Sequence, residues 1–73
     1  MEYTDHARER MDERDISEND VEWVVAGRRM RWTAEGTRLF DRWYTSGNGQ
    51  RYGIYVVLDP HVDRVVTVWW EAG

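Results

Sequence analysis

The sequence predicts an α+β domain: a short N-terminal strand, then two helices packed on a curled antiparallel sheet of about four strands. Three observations carry this. The stretch "SENDVEWVVAG", Ser17 to Gly27, sets a helix cap ahead of valines at helical spacing. After Gly27 the helical period gives way to extended segments separated by "AEG", "SGNGQ" and "DPHVD". The last segment, "VDRVVTVWW", is largely apolar on both faces, which suits a central strand.

"MEYT" is short and fits an edge strand. Thr4 or Asp5 can cap the first helix, and Asp15 ends it before Ile16. At about 100° per residue, Ala7 and Met11 form its buried stripe. His6, Arg10 and Arg14 run along the border of that stripe, so His6 and Arg10 are i, i+4 neighbours.

Ser17 is the expected cap of the second helix, with Asp20 near the capping-box position. Val21, Val24 and Val25 make its apolar stripe, and Gly27 is expected as the left-handed C′ glycine. So many β-branched residues make a poor helix by propensity, so packing must hold it.

"RRMRWT" and "TRLFDRWYT" form a hairpin across "AEG"; "RYGIYVVL" follows the "SGNGQ" turn. In the last strand, simple alternation places Val62, Arg64, Val66, Val68 and Trp70 on one face. Asp63, Val65, Thr67 and Trp69 then share the other. There is no repeat, linker or low-complexity segment, so residues 1–73 read as one domain.

Composition narrows the function classes. Without cysteine there is neither a disulfide framework nor a thiolate zinc site. "MEYTDH" lacks the features of a secretory leader, and "IYVVL" is far too short to span a bilayer, so no membrane segment and a cytoplasmic location are expected. The net charge of −4 is unevenly spread: residues 1–22 hold three arginines against nine acids, whereas residues 27–51 hold six arginines against two acids. Every basic residue is arginine, the side chain suited to bidentate phosphate or carboxylate contacts and to stacking on rings. Ten aromatics are many for this length, and some are expected at a surface that a partner covers.

His6 can move a proton near neutral pH, and Arg10 beside it can stabilise charge on a phosphate. That pair is a minimal kit for metal-independent RNA cleavage. The plainer reading makes Arg10 and Arg14 solvated partners of Glu9 and Glu13. Arg29, Arg31 and Arg42, interleaved with aromatics, could form a phosphate-binding strip together with Arg14. The alternatives are a polar sheet face with Trp32, Phe40 and Trp43 partly in the core, or a protein contact. His61 lies in "DPHVD", where a polar turn accounts for it better than a metal site; no metal or cofactor is expected. No G-x-S-x-G, P-loop or H-E-x-x-H motif occurs.

"HARERMDERDISENDVEWVV" resembles the signature of a small bacterial family known only as a domain of unknown function. That signature is His-Ala-x-x-Arg-Met, a short gap, an isoleucine, a Ser/Thr cap with acids and a valine-rich second helix. The ending "RVVTVWW" is similar to the family's last strand, so the likeness covers nearly the whole chain. The family is grouped with RelE/ParE-like toxins and colicin-type ribonucleases. The resemblance implies a RelE-like fold, with His6 as acid/base, Arg10 as phosphate ligand and Thr67 as a hydrogen-bonding aid across a cleft. It implies a toxin-like, metal-independent endoribonuclease acting on RNA and held by an antitoxin or immunity protein. The competing expectation is a non-catalytic protein-interaction module, homodimeric or bound to a partner, that buries Trp32, Trp43 or Trp70.

Overall fold

The computed structural model describes residues 1–73. The chain runs β1 (Glu2–Tyr3), α1 (Asp5–Arg14), α2 (Glu18–Ala26), β2 (Met30–Trp32), β3 (Arg38–Thr45), β4 (Arg51–Leu58) and β5 (Arg64–Ala72). The class is α+β. The sheet has five strands in the order β1-β5-β4-β3-β2. Four of them are antiparallel neighbours, as expected; β1 adds a fifth, parallel to β5 with Tyr3 opposite Val65, so the sheet is mixed.

The helix ends follow from local chemistry. Thr4 accepts from the Ala7 N–H at 3.0 Å, and its hydroxyl also donates to the Val66 carbonyl at 3.1 Å, tying the start of α1 to β5. Asp15 ends α1 in the left-handed region at φ 56°, which Asp tolerates better than most residues. Ser17 and Asp20 form a complete capping box, each side chain accepting from the other's backbone N–H.

Gly27 departs from the expectation. Its φ is −69°, and the left-handed residue is Arg28 at φ 59°. Glycine is needed at position 27 for space instead: a Cβ there would lie 2.8 Å from Arg42 Cδ.

The core lies between the two helices and one face of the sheet. Ala7 and Met11 from α1, Ile16 from the link, and Val21 and Val24 from α2 meet Phe40, Ile54, Val56, Leu58, Val65 and Val68. Simple alternation cannot bring Val65 and Val68 to one face, and the predicted faces of the last strand are corrected accordingly. Leu58 pairs with Val65 but Val57 pairs with Thr67, so Val66 is an extra residue in a β-bulge. The bulge turns Val68 into the core beside Val65.

Of the three aromatics expected partly in the core, only Phe40 is there. Trp32 is 60% exposed on the edge strand. Trp43 pairs with Gly53, one step out of phase with Phe40, and therefore lies on the far face, which carries no helix. No helix is long and apolar enough to cross a membrane.

Candidate functional site

At one end of the sheet, the helix-side face carries a row of aromatic rings. Tyr44 of β3 pairs with Tyr52 of β4, and Trp70 of β5 pairs with Ile54 one register step away. All four residues share a face because directly opposed and alternate residues in a sheet do. Trp23 descends from α2 to complete the row. Centroids are 6.1 Å apart for Trp23–Tyr44, 5.7 Å for Tyr44–Tyr52 and 5.7 Å for Tyr52–Trp70. The first and last pairs are edge-on, a favourable arrangement for ring quadrupoles.

These rings line an open cleft of about 860 Å³, with Ile16 and Ile54 in its floor. Its rim comes from the α1–α2 junction: Arg14, Asp15, Asn19 and Asp20. The capping box holds Asp20 in place, whereas the Asp15 carboxylate and the Arg14 guanidinium have no ion-pair partner. Arg42 packs against Trp23 without itself lining the cleft. Its guanidinium carbon sits 4.2 Å from the Trp23 ring centroid, and Nη1 donates to the Trp23 carbonyl at 2.8 Å. Tyr44 and Trp70 nevertheless remain 42% exposed. A ring-lined cleft with few polar groups has the composition of a binding site.

Of the residues expected to act together, His6 and Arg10 share α1 one helical turn apart, but Thr67 does not join them. His6 is exposed in the first turn of α1 and makes no side-chain hydrogen bond. Arg10 donates to Glu13 at 2.6 Å. Thr67 is opposite Val57, whose neighbours Val56 and Leu58 enter the core, so Thr67 lies on the far face of the sheet. None of the three lines the aromatic cleft.

The arginine strip is divided likewise. Arg14 is on the cleft rim and Arg42 is engaged with Trp23. Arg31 pairs with Leu39 on the far face, while Arg29 Nε donates to Asp41 at 3.1 Å. Asp41 is only 3% exposed and also accepts from Trp43 Nε1 at 3.1 Å.

His61 and its flanking acids form a turn. Asp59 accepts from the His61 and Val62 backbone N–H groups, which hold its carboxyl below the usual value. No three His, Cys, Asp or Glu side chains stand close enough together to hold a metal ion.

The cleft is only partly legible in the sequence: Trp70 is expected at an interface, but nothing local connects Trp23, Tyr44 and Tyr52 to it. A usable signal exists: Tyr44 and Tyr52 stand symmetrically about "SGNGQ", so hairpin pairing sets them side by side.

The sequence profile of a family described as a domain of unknown function (DUF4258) matches residues 3–70. No curated protein and no solved structure matches the chain.

Proposed function

The chain belongs to the DUF4258 family, and on that premise we propose that it is a non-catalytic protein-interaction module on a RelE-like scaffold. The observation that carries this reading is the open row of Trp23, Tyr44, Tyr52 and Trp70. Tryptophan and tyrosine dominate interface hot spots because they bury large rigid areas at small entropic cost. The helical pair followed by antiparallel strands supports the RelE-like assignment. The test is recovery of a specific partner by the full chain, compared with a Tyr44→Ser/Trp70→Ser double variant of equal stability. Recovery undiminished by the double substitution sinks the reading.

The second reading is a toxin-like, metal-independent endoribonuclease held by an antitoxin or immunity protein. It is supported by the exposed, unbonded His6, one helical turn from Arg10. The dispersal of Thr67 and the acidic character of residues 1–22 weigh against it, since RNA is a polyanion. Cleavage of tRNA or ribosome-bound mRNA by purified protein, abolished in His6→Ala, would establish it; intact RNA in every case would dismiss it.

A further inference from the structure

We propose that the aromatic cleft receives an arginine side chain from an apolar segment of a partner protein, a specificity that rests on reading the cleft as a contact site. The first observation is the chemistry of its walls. Tyr44, Tyr52 and Trp70 offer rings at the solvent boundary, and π faces attract cations.

The second is a guanidinium that already packs on one of these rings, outside the cleft lining. Arg42 lies over Trp23 at 4.2 Å, so the indole accepts this group within the fold itself. Arg42 occupies Trp23 and leaves the other three rings to an incoming cation.

The third is charge. Asp15 and Asp20 are on the rim against the single cation Arg14. The Asp15 carboxylate has no partner, and it also borders an adjoining cleft of about 590 Å³ where Glu9, Asp12 and Glu18 stand against one cation, Arg8, which is paired with Glu18. An incoming arginine therefore meets a surface of opposite sign, whereas a phosphate backbone or an acidic peptide meets repulsion. The cleft is roomy enough for a side chain together with flanking apolar residues.

The experiment uses the isotope-labelled full chain and three short acetylated peptides. One alternates leucine with arginine; in the others glutamine or glutamate replaces arginine. The indole N–H signals of Trp23 and Trp70 report on the cleft. The arginine peptide is expected to shift both signals and to bind about ten-fold more tightly than the glutamine peptide. The glutamate peptide is expected to leave them in place. Asp15→Asn should weaken the arginine peptide about three-fold, because asparagine keeps the left-handed backbone and removes only the charge. Trp70→Ala should weaken it further, and Trp70→Phe should restore most of the loss.

Equal binding of the three peptides, or preference for glutamate, overturns the arginine specificity and leaves the cleft a contact site. Silence at both indoles with every peptide at millimolar concentration overturns the specificity and the contact site together. Stronger shifts from single-stranded RNA, or concentration-dependent shifts of the free protein, assign the cleft to nucleic acid or to a second copy and also overturn the proposal.

Discussion

Arg42 and Trp23 form a lock between sheet and helix: the guanidinium stacks on the indole at 4.2 Å and donates to the same residue's carbonyl at 2.8 Å. Gly27 lies against the stem of that arginine. Gly27 has φ −69°, where alanine is unstrained and would ordinarily stabilise by reducing the freedom of the unfolded chain.

Crowding reverses that sign. Gly27→Ala should destabilise by about 1 kcal/mol in the parent, because its methyl displaces Arg42 from Trp23. In an Arg42→Ala background it should instead stabilise by about 0.5 kcal/mol. Urea unfolding of the four proteins measures the cycle, and additivity would refute the lock.

Gly53 stands in the same relation to Trp43 on the far face. A Cβ at Gly53 would come within 2.3 Å of the indole, whose position is also fixed by its N–H to Asp41. Gly53→Ala should cost about 2 kcal/mol by overpacking and expose Trp43 to solvent. Thermal unfolding and indole fluorescence check this: an unshifted emission with unchanged Tm would show that Trp43 moves freely.

The contrast between helix ends and strand faces shows what the sequence made legible. Thr4, Ser17 with Asp20, and Asp15 could be read because a cap is decided within a few residues. The edge strand β1 could be read too, but its parallel pairing could not, since its partners in β5 are about sixty residues away and it spans only two residues. Val66 had the larger effect. Alternation grouped Thr67 with Val65, and Val65 is in the core, so Thr67 would have faced the helices. The bulge turns it away. One extra residue thus lets Val65 and Val68 both enter the core and leaves Thr67 on the far face, and no local pattern announces it. The aromatic cleft was hidden because its rings come from four elements and converge only through register.

Asp59 gives the turn after β4 an acid sensitivity. Its carboxylate accepts from the His61 N–H at 2.9 Å, and this bond first, with that from Val62, holds its pKa below the ordinary 3.8. A lowered folded pKa supplies stability that is fully present above the unfolded value and is lost as pH falls through the folded one. Below pH 3.8 the parent should therefore lose a contribution that Asp59→Asn lacks at every pH. Acid titrations of both proteins compare the slopes. Identical acid limbs would remove Asp59 from the account.

Tyr3 predicts the opposite limb. Its hydroxyl is buried without a hydrogen-bond partner, while Arg8 covers its ring at 4.3 Å. Burial first, then the carboxylates of Glu18 and Glu22, push its pKa above 10.0; Arg8 opposes them. A raised folded pKa contributes stability that is present below the unfolded value and fades as pH rises through the folded one. The parent should thus begin to lose stability above pH 10.0, and Tyr3→Phe should remove that dependence. At neutral pH the same substitution deletes an orphan hydroxyl while keeping the ring against the core and under Arg8. It should therefore raise stability, by up to about 1 kcal/mol. Denaturant midpoints at neutral and alkaline pH give both readings. Destabilisation by Tyr3→Phe at neutral pH would mean that the hydroxyl has a partner in solution, and the argument from its burial would fail.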